Sequence, residues 1–398
     1  MMLSQSIFLA LSAIVMLAGH IQCNAQDNDV KLAEANNRFG LKLFKELSRA
    51  DPESNIFFSP TSIAIALAML YAGARGTTET ELSTVLGHTA AGLTRKESAL
   101  SCYKTLLQEL QVGDVTLDLA NAVLVDKRLK ILESYSKNLV ESFAAKFQSV
   151  DFATEAAAVV AEINEWVKNR TRGKIPDIAG KEITGATVMV LLNAVYFKGL
   201  WETSFNPNLT ALRPFYNRGS QEVSVETMEL SGKLQFTSEP DLKSEAIQLP
   251  YKGGRHCMVI VLPSKRKGLA ELRNAMTLEN IATIDKNLKE TYLTLRLPKF
   301  KFETEYDLPT ALMKLGLNLI FAGGDLSGIT NDRIPAVSEV KHKAAIEVNE
   351  EGTVAAAATM VVMGKTTSSY FFADHPFLFY IREKTTGRVL FMGEVQEL

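Results

Sequence analysis

The chain has 398 residues, with 43 Lys and Arg against 45 Asp and Glu, for a formal charge of −2. No basic excess drives a salt-dependent phosphate affinity, which excludes a dedicated nucleic-acid binder. A hydrophobic share of 46% with 22% charged residues excludes global disorder, and 24 Gly with 12 Pro show no low-complexity bias.

Residues 1–25 contain no Lys, Arg, Asp or Glu, and Ile7 to Leu17 is nearly all apolar. Cys23-Asn24-Ala25 puts small residues at the two cleavage-reading positions before Gln26. This reads as a secretory signal peptide, leaving residues 26–398 as one domain in an extracellular compartment. The competing reading, an N-terminal membrane anchor, needs a longer apolar run. No other segment is apolar enough to span a bilayer, so no membrane partner is expected.

Phe39, Leu43, Phe44 and Leu47 share one face of an amphipathic helix. Ser62 to Ala72 is apolar all round and predicts a central buried helix. Further helices are predicted over Thr77–Leu86, Lys96–Leu110 and Ala157–Val167. Strand signals occupy Val115–Val125, Val188–Phe197, Lys233–Phe236 and Ala246–Pro250. Tyr251-Lys252-Gly253-Gly254 then turns the chain into a strand over His256–Leu262. Later strands are predicted over Tyr292–Leu297, Ala344–Val348, Phe377–Arg382 and Val389–Val395. Helices lead, strands follow, and no βαβ alternation appears, so an α+β fold is expected rather than a parallel doubly wound one.

Loss of residues 1–25 would leave Cys102 and Cys257, too few for a disulfide framework. Both are expected to be free thiols, Cys257 inside a buried strand. Asn169-Arg170-Thr171 and Asn208-Leu209-Thr210 are glycosylation sequons, with Asn169 and Asn208 the acceptors. Enzyme motifs are missing: there is no HExxH, CxxC or GxSxG, and the five histidines (His20, His88, His256, His342, His375) are scattered, so neither a metal nor catalysis is expected. Gly364-Lys365-Thr366 mimics the end of a phosphate loop, but position 359 is Thr where that loop needs Gly.

The informative stretch is Glu350-Glu351-Gly352-Thr353-Val354-Ala355-Ala356-Ala357-Ala358-Thr359, followed by Met360 to Met363 and Gly364-Lys365-Thr366-Thr367. Asn55 to Ala64, Asn193 to Trp201, Leu297 to Lys301, Asp325 to Ile329, His375 to Phe379 and Leu390 to Val395 carry further motifs in order. Together they resemble the serpins, the metastable serine protease inhibitors, over essentially the whole chain after residue 25.

The resemblance implies a serpin fold with three β-sheets, about nine helices and an exposed reactive loop at about 350–375. It implies a monomeric suicide inhibitor whose partner is a serine protease, held as a covalent acyl-enzyme. The cleaved loop then inserts as an extra strand into the central sheet, a recognised case of strand addition and strain release. Residues check against that mechanism. If Thr353 faces inward, so do Ala355, Ala357, Thr359 and Val361, all small or β-branched and uncharged. Val354 departs from the family's usual acidic residue but falls on the outward face. Gly352 permits the bend that starts insertion. A plain helix is the bland reading of the Ala run, and the flanking Gly and β-branched residues oppose it.

The match also places Ser59, Ser62, Asn193 and His342 in a hydrogen-bonded group beneath the sheet centre. It places Trp201, Lys299 and Glu350 at the insertion point, with Lys299 and Glu350 as an ion pair. Two scissile bonds are candidates. Counting from the hinge gives Thr366, cleaved before Thr367, which suits an elastase-like pocket. Counting back from Pro376 gives Lys365, cleaved before Thr366. Lys365 is the only charge between Glu351 and Asp374, so trypsin-like targets are favoured. A cysteine protease target and a non-inhibitory carrier or storage role remain as alternatives. Lys265-Arg266-Lys267 and the Lys127, Arg128, Lys130 group are basic clusters that read first as solvated faces, with binding of a polyanion such as heparin as the alternative; no other cofactor is expected.

Overall fold

The computed structural model describes residues 2–111, 115–333, 336–352 and 369–398, with side chains from Gln26 onward. Helix α1 (Met2–Ala50) leads to strand β1 (Ile56–Phe58) and helices α2 (Pro60–Gly73), α3 (Gly76–Val85) and α4 (Lys96–Leu110). Next come β2 (Val115–Asp126), α5 (Glu133–Phe143), β3 (Lys146–Val150), α6 (Phe152–Arg170) and β4 (Met189–Gly199). Strands β5 (Ala211–Asn217), β6 (Gln221–Glu239), β7 (Ser244–Pro250) and β8 (His256–Pro263) precede α7 (Leu269–Ala275) and α8 (Leu278–Asn287). The chain finishes with β9 (Lys289–Pro298), β10 (Phe300–Asp307), α9 (Pro309–Lys314), β11 (Glu339–Val348), β12 (Ser369–Phe372), β13 (Phe377–Glu383) and β14 (Val389–Val395).

Helix α2 forms because Ser59 caps it, its Oγ accepting from the Ser62 N–H, and Pro60 supplies a preset first turn. Its residues are buried on nearly every side, as its uniform apolarity requires. On α1 the stripe Phe39, Leu43, Phe44 and Leu47 packs into the same core.

The strands form a five-stranded sheet, ordered β10-β11-β4-β2-β3, and a nine-stranded one. In the first, α2 lies on the side of the main core. Helix α6 covers the other side, where Val159, Ile163 and Val167 meet Leu192, Ala194 and Tyr196. The expectation of three sheets is corrected to two among the described residues. The reason is β6, whose 19 residues pair with β5, β9 and β7 in succession and fuse what would count as two sheets.

Candidate functional site

In the five-stranded sheet, β4 and β11 lie side by side and parallel, in register from Glu339–Val190 to Ala345–Tyr196. Both strands run three residues further, to Val348 and Gly199, still paired to β10 and β2 on their outer sides. Their mutual ladder therefore ends early, and the top of the seam is parted.

Beneath the seam's centre, strand register sets His342 opposite Asn193. His342 Nδ1 lies 2.6 Å from Asn193 Oδ1, and the Ser59 N–H donates to His342 Nε2 at 3.1 Å. That backbone donor makes Nε2 the acceptor, so Nδ1 carries the proton. Asn193 Nδ2 donates to Ser62 Oγ at 2.5 Å and to Asn121 Oδ1 at 2.6 Å. Ser59 Oγ donates to the Leu390 carbonyl at 2.6 Å. Full burial pushes the His342 imidazole down to about 3, against a smaller opposing effect of Asn193, so it stays neutral at physiological pH. The cluster ties β4 and β11 to each other and to the start of α2. Asn121 belongs to it too, and no motif or spacing in the sequence marks that residue.

At the top of the seam the chain leaving β11 folds back. Gly352 forms an antiparallel bridge with Leu200, just past β4. The Trp201 N–H donates to Glu351 O at 3.0 Å, Trp201 Nε1 to Asn349 O at 3.0 Å, and the Phe205 N–H to Glu350 O at 2.7 Å. Gly352 has φ +108°, and a Cβ there would lie 2.3 Å from Gly199 O. Only glycine fits that approach.

Glu350 Oε1 sits 3.4 Å from Lys299 Nζ and accepts from Thr210 Oγ1 at 2.7 Å. Lys299 also meets Glu226 at 3.4 Å. Burial raises the Glu350 carboxyl, but the Thr210 hydroxyl, a backbone N–H and Lys299 outweigh it and hold it below its usual range. Thr210 and Asn349 were not singled out in the sequence; Thr210 is visible there only as part of a sequon.

On the α6 side of the sheet a second set of contacts spans the seam. Lys343 Nζ meets Asp177 Oδ1 at 2.5 Å and Glu303 Oε1 at 3.0 Å. Lys341 Nζ meets Glu182 Oε1 at 2.8 Å and Glu305 Oε1 at 3.5 Å. Asp177 and Glu182 lie on the connection from α6 to β4, so β11 is held to the segment that feeds β4.

Thr353 to Thr359, and the candidate scissile residues Lys365, Thr366 and Thr367, lie outside the described residues. Asn169 lies in the last turn of α6 and Asn208 in a 3-10 turn, both exposed. In the first basic cluster Lys127 pairs with Asp151 at 2.5 Å and Arg128 with Asp126 at 2.7 Å. In the second, Lys265, Arg266 and Lys267 are exposed, and the Arg266 guanidinium stacks 3.3 Å over the Tyr216 ring. Cys102 and Cys257 are free thiols, Cys257 buried within β8. Among the described residues no His, Cys, Asp and Glu group is arranged to hold a metal ion. No described helix is long and apolar enough to cross a membrane. His375 Nδ1 contacts Asp374 at 2.6 Å, but its Nε2 is engaged by the Pro263 carbonyl at 2.8 Å, so the pair activates no nucleophile.

The β4–β11 ladder thus ends before its strands do, and the chain beyond β11 returns across that end at a bent, bridged glycine. Residues 34–398 match the family model described as Serpin (serine protease inhibitor). Iripin-2 of Ixodes ricinus is 42% identical over 385 residues, covering 95% of this chain and 96% of that protein. Intracellular coagulation inhibitor 1 of Tachypleus tridentatus is 37% identical, covering 93% of this chain and 90% of that protein. The solved structure of human thyroxine-binding globulin superimposes with a TM-score of 0.86 at 28% identity, covering 93% of this chain and 99% of that one. The chain belongs to the serpin family, a protease-inhibitor family rather than an enzyme family.

Proposed function

We propose that the protein is a secreted suicide-substrate inhibitor of trypsin-like serine proteases, with Lys365 donating the attacked carbonyl. The observation that carries this reading is the Gly352–Leu200 bridge at the parted top of the β4–β11 seam. Gly352 sits at the place where a new strand would begin. If Thr353 faces inward on insertion, so do Ala355, Ala357, Thr359 and Val361, and all of them suit burial in a sheet interior. In the proposed sequence, the protease's serine attacks the Lys365 carbonyl and the peptide bond to Thr366 breaks. The Thr366 amine leaves, and the protease stays esterified to Lys365 while the freed strand inserts.

The His342 group would have to part for that strand, at roughly 0.5–1.5 kcal/mol net for each hydrogen bond broken. The new strand's own ladder bonds offset that cost. Trp201, Lys299 and Glu350 would hold the loop's base until cleavage.

The same reading includes removal of residues 1–25 on secretion, glycans at Asn169 and Asn208, and action as a monomer. Similarity to thyroxine-binding globulin keeps a carrier role as the second reading, and the small, uncharged hinge residues favour inhibition over it. The test is incubation with trypsin and, separately, with elastase. An SDS-stable complex with trypsin and a released peptide beginning at Thr366 is expected. A complex with elastase alone, and a peptide beginning at Thr367, would move the site to Thr366. Clean cleavage by both enzymes with no complex would reject inhibition of these protease classes.

A further inference from the structure

Strands β6 and β7 pair from Glu239–Ser244 to Gln235–Gln248 and then separate. Beyond that point β6 stays with β9 and β7 stays with β8, so the nine-stranded sheet splits into a wedge. The wedge encloses a cavity of about 190 Å³. Leu230 and Leu234 of β6, Leu249 and Pro250 of β7, and Trp201 line it. Lys233 and Glu202, both exposed, stand at its mouth with one charge of each sign.

The size selects the occupant. An apolar cavity of roughly 150 Å³ holds a benzene molecule, whereas drug-sized ligands take about 300–1,000 Å³. Leucine, proline and indole carbon form its apolar walls, and Thr203, Gln235 and Gln248 add polar groups beside them. The one polar atom of the Trp201 ring, Nε1, is already engaged by Asn349 O, which leaves ring carbon for a ligand to meet. Lys233 is already paired with Glu290 at 2.7 Å, so its charge does not call for an anionic ligand. These features fit a neutral aromatic molecule of one or two rings.

Position gives the occupant an effect. Trp201 holds the base of the loop through its bonds to Glu351 O and Asn349 O, 3.0 Å each. Tyr251 stacks on the indole at 4.6 Å between centroids, 11° from parallel. A ligand packed against the same residue from the wedge would restrain it further. We propose that this wedge binds a small neutral aromatic molecule and that its occupancy slows strand insertion at the β4–β11 seam. The second half rests on the inhibitory reading above; the first does not.

The chain has two tryptophans, Trp166 and Trp201, so a Trp166→Phe background isolates the Trp201 emission. The probe is nitrobenzene, a non-fluorescent contact quencher. Saturable static quenching is expected, with half-saturation on the order of 0.1–1 mM for so small a ligand. It should be lost in Leu234→Phe, which fills the wedge, and in Leu230→Phe should the first variant fail to fold. Quenching that rises linearly, and equally in the filled variants, would overturn the site. The second arm follows uptake of a synthetic peptide copying residues 353–366. Saturating nitrobenzene should slow uptake about threefold or more in the unfilled protein alone. Saturable binding with unchanged uptake would overturn the link to insertion. A protein that takes up no peptide even without nitrobenzene would count against the inhibitory reading, and the quenching arm would still decide the site.

Discussion

Lys299 and Glu350 meet at 3.4 Å where the parted seam gives way to the turn after β11, and the Thr210 hydroxyl donates to the same Glu350 oxygen. Lys299 comes from the residue between β9 and β10, Glu350 from the turn after β11, and Thr210 from the residue before β5. Three separate parts of the chain thus hold one carboxylate, and its backbone carbonyl is fixed by Phe205. The contact anchors the turn after β11 to the body of the fold.

Glu350→Lys should therefore free the loop base. It sets two cations side by side in a half-buried site and leaves the Thr210 donor without its acceptor. Removing one partner of such a contact costs about 1–3 kcal/mol. Lys299 keeps Glu226, but the second cation beside it places Glu350→Lys toward the upper end of that range. With the seam top released, another molecule's loop can add there. Incubation below the unfolding transition followed by gel filtration should give polymers from Glu350→Lys and monomer from the unaltered protein. Equal monomer yields would refute the anchoring role.

Gly352→Ala tests the bridge itself. The added Cβ would lie 2.3 Å from Gly199 O and 2.6 Å from the Trp201 nitrogen, at φ +108°. Neither backbone can move without breaking the Trp201–Glu351 hydrogen bond. A stability loss of about 2 kcal/mol or more is expected from strain and lost contacts together. In the Trp166→Phe background the Trp201 emission should also shift to the red as its Asn349 bond is released. An unshifted spectrum with native stability would mean that the tight approach at Gly352 carries no constraint.

Much of this architecture was legible in the chain. Helix α4 falls on Lys96–Leu110 as its periodicity predicts, and the β7–β8 hairpin sits on Tyr251 to Gly254. Where the sequence fell short, the residues carry weak apolar signals. Strand β5 exposes Ala211, Leu212 and Pro214, and the first half of β6 exposes Gln221, Glu222, Ser224 and Glu226. Strand β10 alternates Phe300, Phe302, Thr304 and Tyr306 with more exposed residues, but only Phe300 is buried, so its period-2 signal is faint. Helix α5 is short, and its core contacts come mainly from Tyr135, Leu139 and Phe143. The motif match brought Ser59, Ser62, Asn193 and His342 together, yet not Asn121, because a lone Asn in an apolar strand looks like any other. Lys343 and Asp177 stand 166 positions apart, and no local pattern records such a pair.

The pH behaviour of His342 follows from its burial. Its ordinary value is 6.5 and the folded protein holds it at about 3. The folded state thus resists a proton that the unfolded chain accepts below about pH 6.5. The stability this group contributes is present above that pH and falls by about 1.4 kcal/mol per unit as the pH drops toward 4. His342→Gln keeps an acceptor for Ser59 and a donor for Asn193 but does not titrate. The variant should be less stable than the parent at pH 8, and the gap should close steadily between about pH 6 and pH 4. Buried His88, also held low at about 4, is common to both proteins and cancels in the difference. A gap independent of pH would show that His342 titrates normally.

At the far end of the seam, Glu339 behaves in the opposite sense. Burial first, and then the neighbouring Asp307 carboxylate, raise its carboxyl to about 7; Lys341 opposes this and Glu182 adds to it. The folded state holds that proton more tightly than the unfolded chain, so its contribution is complete below about pH 4.5 and is lost as pH rises through 7. Glu339→Gln should remove that loss and gain stability over the parent at pH 8, with little difference at pH 4.5. Thermal unfolding at the two pH values decides it, and a larger gain at the acid value would reverse the assignment.

The contacts of Lys343 bear on the rate of insertion more than on stability. Admitting a strand between β4 and β11 moves them apart by about one strand spacing, roughly 4.8 Å. Lys343 stays with β11, while Asp177 belongs to the connection that continues into β4, so their 2.5 Å contact must break on the way. Its carboxylate partners Asp177, Glu303 and Glu305 are all well exposed. Solvent screening therefore holds the equilibrium value of the network to about 1 kcal/mol or less. Lys343→Met keeps the buried stem and removes the charge. It should change the unfolding midpoint little yet take up the peptide of residues 353–366 severalfold faster, and the rate difference should shrink at high salt as the parent's own ion pairs are screened. Uptake at the parent's rate would show that the connection from α6 moves with β11 and that the pair never has to separate.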